Sequence, residues 1–115
     1  MNGIIPKLSI GQIFGLIAIK IHEGGEDIAT VILQEWLTHN SDKPNAYIAW
    51  YELGMQLLRK EMFEAAQTAF QAALQEGRCF PAAAYKLAEA TNAKNEILNN
   101  QAGADSKDLA QIKGH

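Results

Sequence analysis

Residues 49–74 read AWYELGMQLLRKEMFEAAQTAFQAAL, and the chain returns to this pattern on both sides of it. Moved 37 residues toward the N-terminus, Trp50 falls on Ile13, Leu53 on Leu16, Leu58 on Ile21, Ala66 on Ala29, Phe70 on Leu33 and Leu74 on Leu37, without a gap. Moved 34 residues the other way, Tyr51 falls on Tyr85, Leu53 on Leu87 and Gly54 on Ala88. A period of this length suits a pair of helices that cannot bury its apolar face alone and must stack on the next pair. Apolar residues recur at helical spacing almost throughout, and no segment alternates with period two over a useful length, so strands are not expected.

Punctuation brackets five helices. The first runs from about Ser9 to Glu23, with Ser9 and Gln12 at capping-box spacing and Gly24-Gly25 ending it. The second runs from Glu26 to about Thr38, with Glu26 and Asp27 at its positive end and His39 at its negative end. A turn from Asn40 to Pro44 leads to the third, which lasts to about Lys60, where Arg59 and Lys60 complement the dipole. Glu61 to Gln75 is the fourth, with Glu61 and Glu64 at its start and Gly77 after its end. Pro81 opens the fifth, which reaches Thr91 or Leu98. Residues 1–98 therefore read as one helical domain. Residues 99–115 read as a polar, disordered tail, because apolar periodicity stops there.

Glycine inside a helix costs about 1 kcal/mol relative to alanine, so Gly54 needs a compensation. A close approach of paired helices supplies one, with Gly54 and Ala66 near the crossing and Trp50, Leu53, Leu57 and Phe70 filling the space beside it. Ala73 leaves room for the following helix.

The set Trp50, Leu53-Gly54, Leu57, Ala66, Phe70 and Ala73 resembles the tetratricopeptide repeat. Leu57 stands where that pattern has Tyr, and Arg78 where it has Pro; Pro81 comes three residues later. The preceding repeat keeps size classes at Ile13, Leu16, Ile17, Ala29 and Leu33, and the following one contributes a single helix through Ala84, Leu87 and Ala88. The resemblance covers about Ser9 to Thr91. It implies an all-α solenoid of antiparallel helix pairs with about five helices. Two and a half repeats are few for such an array: either the fifth helix caps the stack, or a second copy completes it, or the chain is part of something longer, and an exposed apolar end would favour self-association.

Composition narrows the function. The net charge of −3 and the lack of a basic run argue against nucleic acid as a partner. Cys79, the one cysteine, reads as a half-buried small residue, and the absence of a disulfide fits the reducing cytoplasm. Leu8 to Ile19 is apolar, but it is too short to span a membrane and no small-x-small cleavage site follows it. His22-Glu23-Gly24-Gly25-Glu26-Asp27 reads as a solvated turn, since His22 and Glu23 face different ways and a metal needs ligands that converge. No phosphate loop, zinc motif or nucleophile elbow occurs. Neither an enzyme, a cofactor nor a metal is expected.

The tetratricopeptide resemblance implies a concave groove lined by the first helix of each repeat. Carried onto this chain, the partner-binding positions are Phe14, Ala18 and His22, then Tyr51, Met55 and Arg59, then Tyr85, Glu89 and Ala93. Phe14, Tyr51 and Tyr85 would form an aromatic ladder, or would pack between helices; residue type alone does not separate the two. The expected partner is a peptide or protein held by apolar and aromatic contacts, with Arg59 and His22 as the polar end. Homo-oligomerisation, and service as the adaptor part of a larger enzyme, are the competing expectations.

Overall fold

The computed structural model describes residues 3–75 and 78–112, with side chains described to Asn100. A short 3-10 turn, Ile5–Lys7, precedes five α-helices: α1 (Ile10–His22), α2 (Glu26–Asn40), α3 (Ala46–Arg59), α4 (Phe63–Ala73) and α5 (Pro81–Ile112). No strand occurs among the described residues. Each helix packs on the next in sequence, α3 also touches α5, and the 3-10 turn packs on α2. The protein is all-α.

The capping box at α1 is complete: Gln12 N–H donates to Ser9 Oγ at 3.2 Å, and Ser9 N–H donates to Gln12 Oε1 at 2.9 Å. The two tight turns share one geometry 37 residues apart. After α1, Gly25 N–H donates to Lys20 O at 2.7 Å and Gly24 N–H to Ile21 O at 2.9 Å. After α3, Met62 N–H donates to Leu57 O at 2.9 Å and Glu61 N–H to Leu58 O at 3.0 Å. These nested bonds close a helix through one left-handed residue, and that residue is Gly24 at φ 84° in the first turn and Glu61 at φ 60° in the second. The fourth helix therefore begins at Phe63, not at Glu61 as the charge pattern suggested. Pro44 stands before the N-cap Asn45 rather than inside α3. Gly77, expected after α4, lies outside the described residues.

The core repeats with the turns. Ala29 and Ala66 are fully buried, as are Leu33 and Phe70. Gly54 is explained by one of them: a Cβ there would lie 2.6 Å from Phe70 Cε1 and 2.7 Å from its Cδ1. The glycine makes room for an aromatic ring, rather than for the backbone approach to Ala66 expected from the sequence. In the first hairpin the matching pair is Ile17 with Leu33, so the helix that gives up volume in one hairpin keeps it in the other.

Polar side chains join the hairpins. The Thr30 hydroxyl lies 2.6 Å from Gln56 Oε1, to which it donates, and Gln56 is fully buried. Lys60 Nζ donates to Thr30 Oγ1 at 2.8 Å and pairs with Asp27 Oδ1 at 2.9 Å, while Arg59 Nε pairs with Glu26 Oε1 at 3.0 Å. Arg59 and Lys60 thus reach across to the start of α2 instead of only complementing the dipole of α3. One repeat on from Thr30, Gln67 of α4 donates to Thr91 Oγ1 of α5 at 2.9 Å. Cys79, expected half-buried, is exposed, because Phe80 is the packing residue of that connection. The backbone of α5 runs past residue 98 to Ile112; residues 113–115, the end of the expected tail, lie outside the described residues.

Two stability measurements follow from this packing. Overpacking a filled core costs about 1–3 kcal/mol, against a gain of about 1 kcal/mol from replacing glycine in a helix. Gly54→Ala should therefore destabilise the chain in urea, and in a Phe70→Leu background the same change should cost little or become favourable. A cycle with no coupling would place the ring elsewhere. Glu61→Gly removes the strain of a left-handed non-glycine residue and should raise the unfolding midpoint by the equivalent of about 0.5–1 kcal/mol; a lowered midpoint contradicts the turn geometry.

Candidate functional site

The residues expected to bind a partner lie on α1, α3 and α5, and the structure treats them unequally. Ala18 and His22 are exposed on α1, and Phe14 is half-buried. On α3, Tyr51 and Met55 are half-buried against the core. Tyr51 lies 5.0 Å, ring to ring, from Phe80 and 5.9 Å from Phe70. It is a packing residue that links α3 to α4 and to the entrance of α5. Arg59 is exposed but held by Glu26 of α2. On α5, Tyr85 is 70% exposed, and Glu89 is exposed and paired with Lys86 at 3.2 Å.

No ring contact joins Phe14, Tyr51 and Tyr85 among the described residues, so the three do not form a continuous ladder. Tyr85 and Glu89 are brought together: with Ala88, Asn92, Ala93 and Glu96 they line a shallow concavity of about 380 Å³ along α5. These positions repeat at helical spacing opposite buried Ala83 and Ala90, so they form the face of α5 turned away from the core.

Two features escaped the sequence. Phe80 gathers Tyr47 and Tyr51, and Arg78 lies 4.0 Å from the centre of the Tyr47 ring. Both residues precede a proline in an irregular connection, where no periodicity marks them. A cleft of about 550 Å³ also opens where the 3-10 turn and the start of α1 meet the end of α2 and the start of α3. Its residues come from two stretches far apart in sequence, 6–12 and 36–45, and no motif joins them. Another cleft, of about 470 Å³, lies over Trp50 and Leu53 beside Gln34, Leu37 and Thr38 of α2.

Comparison with protein-family models, with curated proteins and with solved structures finds no match to this chain. Among the described residues, no helix is long and apolar enough to cross a membrane.

The contrast between the two tyrosines is measurable. Tyr51→Ala removes two aromatic contacts, each worth about 0.5–1.5 kcal/mol beyond the buried area, and should clearly lower stability in urea. Tyr85→Ala should change it by no more than about 0.5 kcal/mol. Equal losses would contradict the packing assignment of Tyr51.

Proposed function

We propose that this chain is a helical-repeat interaction module of tetratricopeptide type, which binds a peptide or a partner protein along the face of α1, α3 and α5. The observation that carries the reading is the recurrence at 37 residues of side chains, burial and turn hydrogen bonds together: Ala29 with Ala66, Leu33 with Phe70, Gly24 with Glu61. Chance periodicity in a helical sequence would not also reproduce the bonds of the turn. Packing of each helix on the next, with α3 touching α5, suits a stack that turns one set of helices to a common side. Such arrays serve recognition, and an exposed Tyr85 beside Glu89 offers a large contact area with few rotors to immobilise.

The resemblance places Met55 and Tyr51 in the groove as well. Tyr51 contributes there as a wall held by Phe70 and Phe80, and Tyr85, Ala18 and His22 are the positions free to meet a partner. A second reading, assembly with further copies, is favoured by Ile19, Ile28 and Val31 of the first hairpin, which are 55%, 51% and 62% exposed.

Affinity capture from lysate of the source cells tests the reading. Wild type should hold a partner that Tyr85→Ala loses and that Gln71→Ala, exposed on α4, retains. Loss in both variants, or in neither, argues against the α1–α3–α5 face. Capture of this chain alone favours the second reading.

A further inference from the structure

The first hairpin carries three large apolar side chains in water: Ile19 of α1, and Ile28 and Val31 of α2. Ile19 stands where α3 has Gln56, the residue through which α3 meets the preceding hairpin. Ile28 stands two residues before Thr30, which points at α3, so it lies on nearly the opposite side of α2. Ile19 and Ile28 thus share the face of the hairpin turned away from α3. They are neighbours on it: a Cβ on Gly25 would lie 3.2 Å from Lys20 O, one residue after Ile19, and 3.5 Å from Ile28 Cδ1. The second hairpin does not repeat the patch. Gln56, Ala65 and Thr68 hold the matching places, and Ala65 and Thr68 are exposed as well. The bulk of Ile28 and Val31 is therefore particular to the first hairpin and not a by-product of the repeat.

The charges around the patch are committed within the chain: Lys20 to Glu23 at 3.5 Å, Glu26 to Arg59 at 3.0 Å, and Asp27 to Lys60 at 2.9 Å. A partner of either charge finds little there to select it. An identical copy needs such a face, since a twofold axis sets each charge near it against its own image. The face is also self-complementary. Gln12 lies seven residues before Ile19, and Glu35 seven after Ile28. Because α1 and α2 run antiparallel, Gln12 is level with Glu35 as Ile19 is with Ile28. With the twofold axis parallel to the helices, α1 of each copy lies over α2 of the other. Ile19 then meets Ile28 of the second copy, and Gln12 meets its Glu35. Gln12 Oε1 is held by Ser9 N–H at 2.9 Å, which leaves the Nε2 hydrogens to donate to that carboxylate.

Size sets the strength. Helices of 13 and 15 residues are about 20 Å long and, side by side, about 20 Å across, a footprint of about 400 Å² per copy. A standard interface takes about 800 Å² from each partner, so the contact suits a reversible dimer and not an obligate one. Ile19, Ile28 and Val31 are β-branched and stiff, so burying them costs little rotamer freedom. We propose that the chain forms a weak twofold dimer through the α1–α2 face, with Ile19 against Ile28 of the second copy. This rests on the assembly reading above, gives it a closed geometry, and leaves Tyr85 uncovered.

Analytical ultracentrifugation of the full chain from about 1 μM to about 1 mM tests it. Wild type should pass reversibly from monomer to dimer, with a dissociation constant on the order of 100 μM, and go no further. Ile19→Glu and Ile28→Lys each change a side chain already in water, so helicity should hold while each weakens dimerisation about tenfold or more. Mixed in equal amounts, the two variants should recover it: one contact then pairs opposite charges and the other keeps both isoleucines. Tyr85→Ala should dimerise as wild type does, which separates this result from the peptide-binding reading. A monomer at every concentration overturns the proposal. So does growth past the dimer, the mark of head-to-tail stacking. Single variants that dimerise as wild type, or a mixture that stays monomeric, overturn the pairing of Ile19 with Ile28.

Discussion

The ring of Phe70, seated in the space above Gly54, is the contact on which the rest of the second hairpin depends. It sets how closely α3 and α4 approach and in which register, because the glycine leaves room at one position only. Tyr51 then leans on the same ring, and Phe80 on Tyr51. The entrance of α5 is thereby placed through a chain of aromatic contacts that starts at Phe70. In the first hairpin the corresponding volume is divided between Ile17 and Leu33, both nearly without exposure. Interiors pack densely, and the two hairpins fill matching crossings by different divisions of side-chain bulk, one ring over a glycine in the second and two aliphatic side chains in the first.

The same principle explains what the sequence disclosed of the turns. Gly24-Gly25 announced itself, because glycine is the default residue where the backbone must turn left-handed. Glu61 did not, since an exposed glutamate has no reason of its own to adopt φ 60°. It does so because α4 must fold back over α3 to bring Phe70 to Gly54, and the residue at that point of the turn takes the conformation the packing demands. The N-caps that follow agree in backbone shape, Gly25 at φ −95°, ψ 52° and Met62 at φ −90°, ψ 71°, although the residues share nothing. Periodicity located the helices; the boundary at Phe63 required knowledge of which side chains meet.

Legibility of the candidate sites followed the same divide. On spacing alone Tyr85, like Phe14 and Tyr51, fitted either the groove or packing between helices; the structure leaves Tyr85 70% exposed and packs Tyr51 on Phe80. Phe80 sits in an irregular connection with no spacing to betray it. The cleft where the 3-10 turn and α1 meet α2 and α3 was least legible of all. Lys7, Ser9, Asn40 and Lys43, which line it, have no common period, and only the antiparallel path of α1 and α2 carries the N-terminal segment back to the end of α2.

Exposure at the first hairpin has a related cause. Ala49 and Gln56 of α3 are fully buried, and so are their counterparts Ala83 and Ala90 of α5, one repeat on. Both helices have a hairpin before them: α2 reaches Gln56 through Thr30, and α4 reaches α5 through Gln67. The corresponding positions on α1 are Gln12 and Ile19. Among the described residues no helix pair packs on that side of α1, and both are exposed, Ile19 by 55%. The cover that Thr30 and its hairpin give Gln56, and Gln67 and its hairpin give α5, has no counterpart there among the described residues. Tyr85 differs in kind: it lies opposite the buried side of α5, at a position that stacking of the preceding hairpin never covers. Ile19 and Tyr85 are thus exposed for different reasons, and only Tyr85 is at a position proposed to meet a partner other than a second copy.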